Sequence, residues 1–380
     1  MSAEAEWSEL PKELLNLISE RIDNEIDLIH FRSVCSSWRS SSSIPNHRIN
    51  TLPFKLPLLG YYGDNKVSDP LCYLSKRIIF LIKPSPQQDQ TLVRPWLIRV
   101  TQNPSGKTKL YKSPLFKFEL PSLFPFSIDL INTSVLNLGT DFIVDEPLHY
   151  GYMYPTKVVA VTPLILAILL TNGHLALLRC GDERWTVVPE IPLYIQDICV
   201  FKGQIYAVEA LTRKTVTVGP EDLSVRLVAE DVHRGLQDIQ FLVESEGELL
   251  LVDVYESLFS FELVTIYVFR LDEKETEWVE LTSLGDRILF WGNGCSFSAS
   301  ASDLSVAKGN CVIFIDDVID YNKICDSGMC VFDLNRGRLL PLSDYPDYLN
   351  MFWPPPKSIV KSCIPKTKKS MLSCIKRFLM

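Results

Sequence analysis

Apolar residues recur with a helical period near the amino terminus and with a strand period over the rest of the chain. Behind Pro11, residues Leu14, Leu15, Ile18 and Ile22 form one stripe, while Lys12, Glu13, Glu20 and Arg21 give a wetted side. Pro11 suits the first turn, because its missing N–H would be unpaired there and its ring presets φ, so a helix is expected to start at Leu10 or Pro11. Asp23, Asn24 and Glu25 read as a turn. Asp27 can cap a second helix, whose apolar positions Leu28, Phe31, Val34, Cys35 and Trp38 carry the rhythm up to the serine run 40–43 and Pro45.

Past residue 56 the period changes. Short β-prone runs separated by turn residues occur at 77–82, 96–101, 134–138, 158–161, 164–170, 174–179, 195–200, 204–208, 215–218, 223–228, 249–254, 265–271, 278–281, 311–315 and 329–334. Runs of this length and spacing argue for an all-β domain, a large sandwich or a propeller. A glycine in a polar turn followed by an apolar strand recurs at Asn172-Gly173, Lys202-Gly203, Glu246-Gly247 and Lys308-Gly309, which tips the choice toward a propeller. Glycine there is expected to supply the positive φ of a hairpin. The stretch 158–178 has no charged residue and is long enough to suggest a membrane span. Pro163 and the turn at Thr171, Asn172 and Gly173 divide it, so two buried strands are the better reading.

Composition changes the picture in a few places. With 380 residues, 47% of them hydrophobic, the chain is long enough for a small helical unit and a large core. A net charge of −8 gives no general pull toward nucleic acid or anionic membrane. The ten cysteines are scattered, and the close pair Cys325 and Cys330 lacks a second pair at zinc spacing, so they read as reduced thiols of an intracellular protein. Residues 1–9 are acidic and lack the apolar run of a secretory signal. The segment 357–380 breaks with the acidic body, carrying seven basic residues and no acid. It reads as a disordered tail, with nuclear import and contact with an anionic surface as functional alternatives.

The histidines at 30, 47, 149, 174 and 233 lack zinc-binding spacing, and no nucleophile elbow, Walker loop or dinucleotide fingerprint occurs in a suitable setting. The acids Asp316 and Asp317 adjoin a strand and point to opposite sides, so they do not converge on one atom. No enzyme activity, cofactor or metal is therefore expected.

The order Trp7-Ser8-Glu9-Leu10-Pro11-Lys12-Glu13-Leu14-Leu15, then Asp27-Leu28-Ile29-His30-Phe31-Arg32-Ser33-Val34-Cys35-Ser36-Ser37-Trp38-Arg39, resembles the F-box. The stretches 267–272, 278–281, 283–292, 295–298, 309–314 and 353–356 resemble the DUF295, or KIB-type, β-propeller of plant F-box proteins. Together these imply a small all-α F-box unit followed by a mainly-β, kelch-like propeller of five to seven blades. The expected layout is an F-box unit at 1–45, a linker at 46–60, a propeller at 61–356 and a basic tail at 357–380.

The resemblance further implies a substrate-recognition subunit of a Skp1–cullin–F-box ubiquitin ligase. Its F-box would dock the Skp1 adaptor, and through it a cullin. Matched by motif position, Leu10, Pro11, Leu14, Leu15, Ile18, Leu28, Val34 and Trp38 would contact the adaptor or hold the contacting helices together. The propeller would hold a client protein, with Tyr150, Tyr152, Tyr154, Asp316 and Asp317 as candidates in loops of unusual composition. The alternatives are a Skp1-bound regulator that does not trigger degradation and, less favoured, a catalytic propeller. No nucleic-acid partner and no transmembrane span are expected, with residence in the nucleus or cytoplasm.

Overall fold

The computed structural model describes residues 9–22, 28, 31–32, 34–42, 55–57, 72–84, 94–102, 108–111, 114–115, 126–128, 133–145, 155–162, 165–170, 172–189, 191, 194–210, 214–230, 238–256, 264–292, 294–315, 329–352, 356 and 360–362. Among the described residues near the amino terminus, α1 (Lys12–Glu20) and α2 (Ser36–Ser41) touch one another, and residues 28 and 31–32 between them are also helical. Helix α3 (Pro346–Leu349) follows the last blade.

Among the described residues, most of the remaining strands form a ring of five mainly antiparallel blades. From the inside outward, the first contains Thr133–Asp145 (β6), Cys72–Pro84 (β2), Trp96–Gln102 (β3) and Thr108–Tyr111 (β4), with Lys55–Leu56 (β1) paired to the start of β2. The second runs Pro155–Thr162 (β7), Ile165–Leu170 (β8), Leu175–Arg179 (β9) and Thr186–Val187 (β10). The third runs Ile195–Phe201 (β11), Gln204–Glu209 (β12), Thr215–Val218 (β13) and Val225–Ala229 (β14), and the fourth Asp238–Ser245 (β15), Glu248–Glu256 (β16), Val264–Asp272 (β17) and Glu277–Leu281 (β18). The fifth has five strands in the order Cys295–Ser300 (β20), Arg287–Gly292 (β19), Cys311–Ile315 (β21), Met329–Asp333 (β22) and Arg338–Pro341 (β23), with β19 and β21 parallel. The first two blades meet in one continuous sheet, paired among the described residues at Phe142 and Val158.

The apolar cores sit between blades, which is why the strands close into a ring and not a sandwich. Separate buried clusters link blades one and two (Leu74, Phe142, Val158, Ile168), two and three (Ala167, Leu177, Ile198, Ile205), three and four (Phe201, Val208, Leu251, Phe269), and four and five (Phe241, Val252, Val312, Phe314). The fifth joins last to first, packing Ile79, Leu81 and Leu97 against Phe290, Phe297 and Ile313, with Met351 and Phe352 set into it. A hydrogen bond of 2.7 Å from Leu97 N–H to the Met351 carbonyl fastens this closure. Central strands are covered on both faces, so they read as unbroken apolar runs. All six residues of β8 are buried, and the uncharged stretch 158–178 is accounted for by β7, β8 and β9. Among the described residues, no helix is long and apolar enough to cross a membrane.

Several sequence expectations need correction. The second helix is not continuous: residues 28 and 31–32 are helical, but Cys35 is extended (φ −160°, ψ 178°) and starts α2 afresh. β-Branched Val34 and hydroxyl-rich neighbours weaken a helix at this point. Sheet pairing begins at Lys55, inside the stretch expected to be linker. Val360–Ser362 (β24), within the expected tail, pairs with Phe126–Ile128 (β5). Cys330 is buried and disulfide-bonded, contrary to the expectation of reduced thiols, while Cys35, Cys180, Cys199, Cys295 and Cys311 are free. Gly203 and Gly247 do take positive φ, in two-residue hairpins where Lys202 and Glu246 do the same. At the fourth repeat Asn310 takes that conformation, and Gly309 serves a different need: a Cβ there would lie 2.4 Å from the Asp286 carbonyl oxygen.

Candidate functional site: an outward apolar face and a pinned disc

α1 carries apolar residues on two sides. Leu15 is fully buried and Ser19 nearly so, turned toward the inside of the helical unit. Pro11, Leu14, Leu17 and Ile18 face outward, with Leu14 47%, Leu17 49% and Ile18 42% exposed. Pro11 is the N-cap residue, one position earlier than a first helical residue, and its carbonyl accepts the Leu15 N–H at 3.1 Å. Leu28 and Phe31 are buried, and the Phe31 ring packs on half-buried Trp38 with centroids 4.5 Å apart. The Arg32 guanidinium donates to the Ser42 carbonyl and hydroxyl, and the Arg39 Nε–H donates to the Arg32 carbonyl at 3.3 Å, fixing the segment around α2. Val34, at the break before α2, is 58% exposed.

The residues singled out by motif thus divide by position. Pro11, Leu14, Ile18 and Val34 are exposed, Leu10 and Trp38 are half-buried, and Leu15 and Leu28 are interior. Leu17 was not among them. Its signal was present, because an apolar residue beside the main stripe widens the face beyond what one buried contact needs. Tyr150, Tyr152, Tyr154, Asp316 and Asp317 lie outside the described residues, in the connections between β6 and β7 and between β21 and β22.

At the axis of the disc, polar side chains pin neighbouring blades. Lys157 on β7 donates to both carboxylate oxygens of Asp197 on β11, at 2.8 and 2.9 Å. Asp197 in turn accepts the Leu242 N–H of β15 at 2.7 Å. The Leu242 carbonyl accepts the Ser296 hydroxyl of β20 at 2.6 Å, and the Glu244 carbonyl accepts that of Ser298 at 3.2 Å. The inner edge of β15 is thereby satisfied by side chains from both flanking blades, which removes an open strand edge. Burial alone would push the Lys157 ammonium down, but Asp197 and the neighbouring groups outweigh it and hold it above its ordinary value. Burial pushes the Cys199 thiol up to about 12 and the Cys295 thiol up to about 11, so neither is a thiolate nucleophile at neutral pH.

Away from the axis the charges are mostly self-paired. Glu248 bridges Arg270 at 3.2 Å and Arg287 at 2.7 Å, Lys83 pairs with Asp303 at 2.6 Å, and Lys202 pairs with Glu273. A cavity of 280 Å³ on the third blade is lined by Gln204, Thr217, Asp222 and Arg226, among others. Asp222 is engaged there by the N–H and hydroxyl of Ser224, in its own turn. Among the described residues no three His, Cys, Asp or Glu side chains gather as metal ligands. Among the described residues the arrangement offers an apolar face of α1 open to solvent and a disc whose blades are tied together by polar side chains.

Comparison with known proteins agrees with both parts. Residues 79–333 match the KIB1-4 beta-propeller and residues 7–50 match the F-box domain. Among Arabidopsis thaliana proteins, the chain is similar to "F-box protein SKIP23", 34% identical over 397 residues, covering 92% of this chain and 95% of that one. It is similar to "F-box protein At2g17036", 31% identical over 395 residues, covering 94% and 95%. "F-box/kelch-repeat protein At1g64840" is 30% identical over 336 residues, covering 82% and 84%.

Proposed function

Because the chain belongs to the F-box proteins that carry a KIB1-4 β-propeller, we propose that it is the substrate-recognition subunit of a Skp1–cullin–F-box ubiquitin ligase. The F-box docks a Skp1-type adaptor, the adaptor joins it to a cullin, and the propeller holds a client protein for ubiquitination and degradation. Ubiquitin transfer is carried out elsewhere in that assembly, and this chain supplies recognition alone.

The observation that carries this reading is the outward face of α1, where Pro11, Leu14, Leu17 and Ile18 stand exposed beside a buried Leu15. Grouped apolar residues left in water are the mark of a surface awaiting a partner. Leu10, Pro11, Leu14, Ile18 and Val34 make the contact, while Leu15, Leu28 and Trp38 set the helices that present them. The disc supports the second half of the reading, since its blades are tied to one another by polar side chains, and recognition residues favour loops carried by a rigid scaffold.

The test is co-purification of a Skp1-type adaptor with the full-length chain and with the double variant Leu10→Ala, Pro11→Ala. Capture should disappear in the variant while its circular dichroism and thermal midpoint stay those of the parent. Capture that persists in a folded double variant would refute the assignment. Cullin co-purification, with client accumulation once the protein is lost, separates a degradative receptor from a regulator that holds its client intact.

A further inference from the structure

The serines of residues 36–42 differ in what their hydroxyls do. Ser40 and Ser41 donate to the Ser37 carbonyl at 3.0 and 2.7 Å, and Ser42 donates to the Trp38 carbonyl at 3.0 Å. The Ser37 hydroxyl lies 3.1 Å from Cys35 Sγ. Ser41 and Ser42 are also buried. Ser36, the first residue of α2, is exposed, and its hydroxyl makes no hydrogen bond among the described residues. It is the one serine of the run that offers a reachable oxygen with no competing partner.

Its neighbourhood gives that oxygen significance. Val34, two residues earlier, is 58% exposed, the highest value of any large apolar side chain among the described residues. Arg32 stands four positions before Ser36 and Arg39 three positions after it. Arg32 is half-buried and spent on Ser42, so the exposed Arg39, three positions after the serine and with extended Cys35 before it, is the basic group that a kinase with an acidic substrate cleft can read.

We propose that Ser36 is a phosphorylation site that switches adaptor docking off. This rests on the docking function proposed above. In the transfer, Ser36 Oγ attacks the γ-phosphorus of a nucleoside triphosphate and an O–P bond forms. The bond between the γ-phosphorus and the bridging oxygen breaks, the hydroxyl proton passes to the general base of the kinase, and a nucleoside diphosphate leaves. The product carries about −1.5 to −2 charges at pH 7. Docking would then have to strip water from that charge beside Val34, with a large penalty in an apolar contact. The helical unit itself survives, because negative charge on the first residue of a helix agrees with the helix dipole. The switch therefore acts on association and leaves folding alone.

The experiment uses the full-length chain with phosphoserine placed at position 36 by genetic encoding, and a purified Skp1-type adaptor as the probe. Adaptor affinity should fall at least about tenfold with an unchanged thermal midpoint. Ser36→Ala should bind like the parent, as should a chain with phosphoserine at exposed Ser305 on the disc. In parallel, full-length protein is recovered from eukaryotic cells with phosphatases inhibited. Its tryptic peptide 33–39 should carry one phosphate, on Ser36, and be depleted in that phosphate in the adaptor-bound pool.

A phosphoserine-36 chain that binds within about twofold of the parent overturns the proposal, as does a cellular 33–39 peptide without phosphate on Ser36. A parent that does not bind the adaptor at all removes the docking reading and this inference together. A parent that binds, with a phosphorylated chain that binds equally, removes only this inference.

Discussion

The helical unit and the disc treat apolar side chains in opposite ways. Of the nine large hydrophobic residues left exposed among the described residues, Leu14, Leu17, Ile18 and Val34 crowd into the short amino-terminal unit. The other five, Tyr73, Leu136, Tyr194, Leu227 and Leu349, are dispersed over the much larger remainder. Single exposed apolar residues are ordinary on any protein surface, whereas a group on one helix is not. Grouping, and not the bare fact of exposure, separates a surface made for a partner from one made for water.

The hardest way to break this contrast is to strike the disc at its axis. Asp197→Ala leaves the Lys157 ammonium buried without its partner and removes the acceptor of the Leu242 N–H. A loss of about 3–5 kcal/mol in urea unfolding is expected, and a loss under about 1 kcal/mol would show that the pin is ornamental. The opposite outcome is expected on the helical face. Leu14→Asp with Ile18→Asp should shift unfolding by no more than about 0.5 kcal/mol, yet weaken adaptor binding by about 2 kcal/mol or more, near thirty-fold, in equilibrium titration.

A smaller effect distinguishes two kinds of glycine within the disc. Gly309→Ala drives a methyl group against the Asp286 backbone, and about 1–3 kcal/mol should be lost. Gly203→Ala meets open space and should lose about 1 kcal/mol, from its positive φ alone. Thermal unfolding of the pair checks the order.

The mildest test uses thiols. The Ser37 hydroxyl and the Trp38 N–H lower the pKa of Cys35, whereas burial raises those of Cys199, Cys295 and Cys311 to about 12, 11 and 12. Iodoacetamide should label Cys35 and exposed Cys180 in the native protein and spare the other three. A native pKa above the unfolded value of 9.0 means that these three stabilise fully below pH 9.0, and that the contribution is lost as pH rises beyond it. Unfolding measured from neutral to alkaline pH should decline in that sense.

Legibility in the sequence followed how each strand is buried. β8 and β9, covered on both faces, announce themselves as apolar runs, and β13 and β21 lie at the residues their β-branched content suggests. The inner strand β20, with the sequence CSFSAS, was missed as a strand, because its serines serve as interblade donors at Ser296 and Ser298 and carry no hydrophobic signal. The pair Lys157 and Asp197 was invisible for a related reason: forty residues separate the partners, and neither sits in a motif. The helical unit was readable in outline, yet the break at Cys35 was hidden, since Phe31, Val34, Cys35 and Trp38 keep a helical period across it. Periodicity records which side is greasy and does not record whether the backbone stays wound between greasy positions.

The way the ring is shut has a consequence for how the protein comes into being. The seam joins Ile79 and Leu97 to Phe290 and Met351, so the earliest blade waits for the last before one of its faces is dry. During synthesis the amino-terminal helices emerge well before that seam can seal. A newborn chain thus presents its helical pair while the ring is still open, and ribosome-bound chains ending before Met351 lack the residues that fasten the seam.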